Sequence, residues 1–100
     1  MLLLNAFSLQ MLEQFPAEIF VEEVTPQYVA ENVTSSAIGH ADTAAVLSSL
    51  LGVEIPMRRV NVSLSEGTVL VAQLQGGRLP EGATTLPQGF SFKFLKVTVD

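Results

Sequence analysis

Ser36-Ala37-Ile38-Gly39-His40-Ala41-Asp42-Thr43-Ala44 runs on into Ala45-Val46-Leu47-Ser48-Ser49-Leu50-Leu51 and stops at Gly52. The run reads as a helix from about Ala41 to Leu51. Gly39 is a flexible pivot before it. Asp42 and Thr43 fall in the first turn, where an acidic side chain suits the positive end of a helix. Ala44, Val46, Leu47, Leu50 and Leu51 give a wide stripe expected to be buried, and Gly52 is a C-terminal stop. A helix start leaves backbone N–H groups without partners, so it welcomes phosphate or carboxylate oxygens. His40, the only histidine in the chain, stands there. Imidazole titrates near neutral pH, and beside an anion site it is suited to proton transfer to or from a phosphate ester. The plainer reading is a structural or exposed histidine in a loop, and residue pattern alone leaves both open.

Upstream, Leu2 to Ala6 is apolar on both faces and reads as a buried strand. Ser8 is placed to cap a short helix, Leu9 to Gln14, with Met11, Leu12 and Phe15 turned inward and Pro16 as its end. Ala17 to Val24 reads as a second strand, Ile19 and Val21 set against Glu18, Glu22 and Glu23. Thr25-Pro26 opens a short helix, Gln27 to Glu31, and Asn32 to Ser36 is a polar loop. Downstream, Val60, Val62 and Leu64 alternate with Arg59, Asn61 and Ser63, the pattern of a strand. Ser65 to Thr68 reads as a hairpin turn, and Val69 to Leu74 as the returning strand. Gln75 to Gly82 is a glycine-rich loop carrying Arg78 and Glu81, followed by an irregular link. Phe90 to Val99 is the last strand, its alternation shifting at Leu95 as at a bulge or a deeply buried end. The expected class is α+β: one domain over residues 1–100, a central mixed sheet of about five strands flanked by helices.

Of the 100 residues, 48% are hydrophobic and 15% charged, the balance of a folded chain rather than a disordered one. A domain this short hides a modest fraction of its surface, so association into a dimer is expected. The net charge of −5 argues against non-specific binding of long DNA or RNA. It leaves room for a small anion held by the few basic residues, Arg58, Arg59, Arg78, Lys93 and Lys96. Without cysteine there are no disulfides or thiolate metal sites. One histidine and no carboxylates at ligand spacing give no metal site, and no cofactor is expected. The opening Met1-Leu2-Leu3-Leu4 is too short for a signal peptide's apolar core, and no run approaches a membrane span. The expected location is cytoplasmic, with no membrane partner.

Polar residues and backbone freedom coincide at three places: Asn5 to Ser8 after the first strand, Gly39-His40, and the Gly76 to Glu81 loop. Each has a plainer reading. Asn5 and Ser8 suit a helix cap, Gly76-Gly77 an ordinary loop, Arg59 a solvated strand residue, and Glu81 a weak local pair with Arg78. There is no Walker loop, nucleotide-binding glycine fingerprint or Ser-His-Asp set.

Taken in order, Leu3-Leu4-Asn5-Ala6-Phe7-Ser8 with Met11-Leu12, Ile38-Gly39-His40 with Asp42-Thr43, Arg59-Val60, and Arg78-Leu79 with Glu81-Gly82 resemble the viral type III anti-CRISPR ring nucleases. These are small proteins first grouped as a domain of unknown function in archaeal viruses, and found also in phages and prophages. The resemblance runs from Leu2 to Asp100. It implies a metal-independent homodimer that encloses and cleaves cyclic tetra-adenylate (cA4), the second messenger of type III CRISPR defence. It places His40 at the catalytic histidine, Arg78 and Glu81 at the site arginine and glutamate, and Asn5 and Ser8 at ligand contacts of the first strand. Gly39 and Gly77 fall beside these as substrate-binding backbone, and Arg59 matches a recurring arginine. Glu81 either orients Arg78 or acts on the ribose 2′-hydroxyl. Gly76-Gly77, Pro80 and a shorter, less helical following segment depart from the archaeal relatives. Two other classes stand beside the enzyme: a protein that sequesters the cyclic nucleotide without cutting it, and a viral protein–protein interaction module.

Overall fold

The computed structural model describes all residues, Met1–Asp100. A mixed five-stranded sheet is built from β1 (Leu2–Leu4), β2 (Ile19–Glu23), β3 (Ser35–Ala37), β4 (Gly67–Gln75) and β5 (Ser91–Val99), in the order β2-β5-β4-β1-β3. Two helices, α1 (Pro26–Asn32) and α2 (Ala41–Leu51), complete the α+β fold. A single 3₁₀ turn spans Leu9–Met11.

β1 lies between β3 and β4 and is parallel to both, Leu4 pairing with Ala37 on one side and Val71 on the other. That central place explains a strand made of three leucines, with Leu3 and Leu4 buried. β5 runs antiparallel between β4 and β2. Its register against β4 is unbroken from Gly67–Val99 to Gln75–Ser91, so Leu95 marks no bulge. The shift in alternation reflects burial on both faces: Phe94 belongs to one core, Val97 and Val99 to the other.

The core on the helix side joins Leu3, Leu70, Ala72 and Phe94 of the sheet to Val29 of α1 and to Ala44, Leu47 and Leu51 of α2. Thr25 caps α1 by accepting from the Tyr28 N–H, with Pro26 in the first turn. Gly52 ends α2 in the left-handed conformation at φ 72°, as a C-terminal glycine should. Leu50, expected in the buried stripe, lies instead at the solvent edge of α2, 44% exposed. Lys96 ties the sheet to α1, with its Nζ 5.7 Å from the centre of the Tyr28 ring and 3.6 Å from a Glu22 oxygen. Tyr28 first, and then Glu22, hold this ammonium above the ordinary lysine pKa.

The opposite face is covered by irregular chain. Leu12 is buried with Val69, Val71, Val97 and Val99, and Met11, Val62 and Leu64 pack against them. Here the structure corrects three expectations. Arg59 to Leu64 is not a strand and makes no hairpin with β4. Leu64 bridges only to Leu12, and further upstream Met57 bridges to Ile38. Its alternation records Val62 and Leu64 facing the sheet, not a ladder. The fifth strand is Ser35–Ala37, whose two serines read from the sequence as the end of a polar loop. Finally, the stretch Leu9 to Gln14 holds only the 3₁₀ turn Leu9–Met11 rather than a helix, and Phe15 points outward, 72% exposed.

Candidate functional site

Because β1, β3 and β4 are parallel, their C-terminal ends point to the same edge of the sheet. Ligand sites in sheet-based folds commonly open at such an edge. Asn5 follows β1, Ile38-Gly39-His40 follow β3, and β4 continues beyond its β1 pairing through Ala72 and Leu74. A cavity of about 520 Å³ opens there, lined by Asn5, His40, Asp42, Thr43, Ala72, Leu74, Arg78, Leu79 and Glu81.

His40 is the N-cap residue of α2, with extended backbone at φ −133° and ψ 131°. Its carbonyl accepts from the Ala44 N–H at 3.0 Å, while its side chain makes no capping bond. The imidazole is therefore left exposed and facing the cavity. The N–H of the preceding residue is taken up: Gly39 donates to Asn5 Oδ1 at 3.4 Å. A Cβ on Gly39 would lie 3.9 Å from Arg59 Nε, so Arg59 stands just over the pivot. Arg58 holds the same segment, its N–H donating to the Ile38 carbonyl at 2.8 Å.

Arg78 and Glu81 come from the loop between β4 and β5. The loop's base is pinched at Gly76, where an added Cβ would meet the Gly89 carbonyl oxygen at 2.7 Å, and where φ is 112°. Both facts require glycine. Leu79, between the two charged residues, is buried and anchors the loop inward.

The structure thus brings Asn5, His40, Arg78 and Glu81 onto one cavity, with Gly39 and Arg59 beside it. It does not bring Ser8 there. Ser8 caps the 3₁₀ turn, accepting from the Gln10 N–H at 3.2 Å. Gly77 lies in the loop outside the cavity lining. Asp42, read from the sequence only as a helix-start acid, lines the cavity and reaches the loop. Its position two residues after His40 was the available signal. No group of three or more histidine, cysteine, aspartate or glutamate side chains gathers as metal ligands. No helix is long and apolar enough to cross a membrane.

Chemically, the cavity offers one imidazole, one guanidinium, carboxylates and an amide over an apolar floor. Groups of these kinds can hold and polarise an anion at the open end of a sheet. The chain belongs to the STIV B116-like family, whose model matches residues 1–90. It resembles B116 of Sulfolobus turreted icosahedral virus with a TM-score of 0.79 and 28% sequence identity, over 96% of each chain. It is also 37% identical, over 65 of its residues, to uncharacterized protein 26 of Sulfolobus islandicus filamentous virus (isolate Iceland/Hveragerdi). That match covers 65% of this chain and 54% of the viral protein, about half its length. The family's relatives here are thus proteins of archaeal viruses.

Proposed function

We propose that this protein is a ring nuclease: it binds cA4 and cleaves it without metal, and so silences type III CRISPR signalling in the host cytoplasm. One observation carries the reading. Asn5, His40 and the Arg78–Glu81 loop, three places far apart in sequence, line a single cavity.

The reaction asks for three things. A ribose 2′-oxygen attacks the adjacent phosphorus, the bond to the 5′-oxygen breaks, and that oxygen takes up a proton. The products are a 2′,3′-cyclic phosphate and a 5′-hydroxyl. His40, exposed and free of capping duty, donates the proton in its cationic form. Arg78 stabilises the charge gathered on the phosphorane. Glu81 receives the 2′-hydroxyl proton, or orients Arg78 once the ligand is bound while water takes that proton. A cavity of about 520 Å³ is sized for a drug-like ligand and covers only part of a ring of four nucleotides. Two chains closing on one ring would cover the rest and present two copies of His40. An apolar depression lined by Phe7, Val21, Val71, Leu95 and Val97 adjoins Asn5, and its surface supports association of two copies.

The test is incubation with cA4 in EDTA, followed by chromatography of the products, beside the His40→Ala variant. Linear products ending in 2′,3′-cyclic phosphate are expected from the wild type, and a loss of roughly 10²-fold or more from the variant. Full cleavage by His40→Ala would remove that residue from the mechanism. A stable complex without products would instead make this a sequestering protein.

A further inference from the structure

Asp42 stands in the first turn of α2, and the helix's positive end accounts for an acidic residue there. It does not account for where the side chain goes. Asp42 Oδ1 accepts from the Gly82 N–H at 3.2 Å, across 40 residues of chain. Two turns further along α2, Ser49 Oγ donates to the Thr84 carbonyl at 2.7 Å. The loop's other hydrogen bonds away from its base are internal, from Ala83 N–H to the Pro80 carbonyl and from Phe90 N–H to the Pro87 carbonyl. Arg78 and Glu81 lie between the pinch at Gly76 and the tie at Gly82, so Asp42 holds the near end of the segment that carries them.

Resting on the reading of the site given above, we propose that Asp42 is a positioning residue, whose carboxylate clasps Gly82 and so sets Arg78 and Glu81 opposite His40. A carboxylate oxygen is the strong form of this acceptor. An amide oxygen can replace it and a methyl group cannot. Charge at the helix start is lost in both Asp42→Asn and Asp42→Ala, whereas the acceptor is lost only in Asp42→Ala. The pair therefore separates the clasp from the helix dipole.

The first measurement needs no substrate. Limited trypsin digestion of the whole chain, read by mass spectrometry, follows cutting at the Arg78–Leu79 bond, whose rate tracks how often the loop opens. Asp42→Ala should raise it roughly threefold to tenfold, the range of an ordinary net hydrogen bond, because this one is exposed and long at 3.2 Å. Asp42→Asn should stay within about twofold of wild type. Cutting after Arg58 and Arg59 should be unchanged in both, which separates loop opening from general unfolding. With cA4, Asp42→Ala should lower kcat by a similar factor and Asp42→Asn should restore it. An unchanged cut in Asp42→Ala, an Asn variant behaving like Ala, or faster cutting with an unaltered kcat would each overturn the proposal. If the wild type leaves cA4 intact while the trypsin pattern is as expected, the ring-nuclease reading fails, and the clasp on the loop remains supported.

Discussion

His40 and Asn5 stand on a wall fixed by the sheet and the core, whereas Arg78 and Glu81 stand on a loop fixed by glycines and a few hydrogen bonds. The first wall inherits its geometry from the β1–β3 register and from α2, which Ala44, Leu47 and Leu51 press against the sheet. The second depends on the pinch at Gly76, on buried Leu79, and on the ties at Gly82 and Thr84. On the proposed reading the two walls serve as a proton donor and an anion clamp, which have different needs. A general acid must sit within hydrogen-bond reach of one leaving oxygen. A clamp on a bulky ring gains from a segment that can part to admit it and then close. The division of the cavity into an anchored wall and a tethered wall meets both needs, and it can be attacked one wall at a time.

Ranked by effect on folding, the largest change should come from the anchored wall. Leu47 is fully buried in the helix-side core, so Leu47→Ala should cost about 2–5 kcal/mol, lost contacts and cavity together. Chemical denaturation measures it. Any ligand binding should fall in step with the folded fraction. A loss much under 1 kcal/mol would mean that α2 is not pressed on the sheet as described.

Gly76→Ala attacks the tethered wall at its base. The new methyl group would meet a backbone oxygen at 2.7 Å, and the residue would be held at φ 112°. Strain of this kind costs about 1–3 kcal/mol. If the two walls are as separate as they look, cutting by trypsin at Arg78 should rise more than the melting temperature falls. A uniform loss of protection along the chain would erase the distinction between them.

Asn5→Ala is smaller and tests how finely the anchored wall is set. Its Oδ1 takes the Gly39 N–H at a long 3.4 Å, so the loss should fall near the low end of about 0.5–1.5 kcal/mol. The amide proton of Gly39 should exchange faster while the core amides of β1 and β4 keep their protection. Asp in place of Asn keeps the acceptor and should restore Gly39 protection.

The anchored wall was also the more legible of the two. Three leucines in a row declare a strand buried on both faces, and α2 declares itself by its first-turn acid, its spaced apolar residues and Gly52. β3 was hidden because Ser35-Ser36-Ala37 carries none of the branched or aromatic side chains that mark strands. It is held by pairing with β1 and by the Ser36 hydroxyl, which donates to the Pro56 carbonyl at 2.6 Å. Both partners are distant in sequence and leave no local trace. Arg59 to Leu64 erred the other way, since alternation records which side chains meet the sheet and is blind to whether the backbone joins a ladder. The same blindness covered the site. Residue types marked three separate places, the family resemblance joined Asn5, His40, Arg78 and Glu81 in one site, and the parallel ends of β1, β3 and β4 are what bring them to one cavity. Ser8 shared the chemistry and not the place.

Arg78→Ala should disturb folding least and divide the two walls most sharply. The side chain is exposed, and no salt bridge or hydrogen bond holds it to the protein, so stability should stay within about 0.5 kcal/mol of wild type. On the proposed reading, the same change should weaken cA4 binding and turnover together, because the guanidinium grips the phosphate in the ground state and grips it harder as charge gathers in the transition state. His40→Ala should instead spare binding and remove turnover, since its proton matters only as the bond breaks. Titration of cA4 by calorimetry, set beside single-turnover cleavage, distinguishes the two patterns. Were Arg78→Ala to bind normally and fail only in turnover, the loop would be part of the chemistry rather than the grip, and the contrast between the walls would have to be redrawn around Glu81.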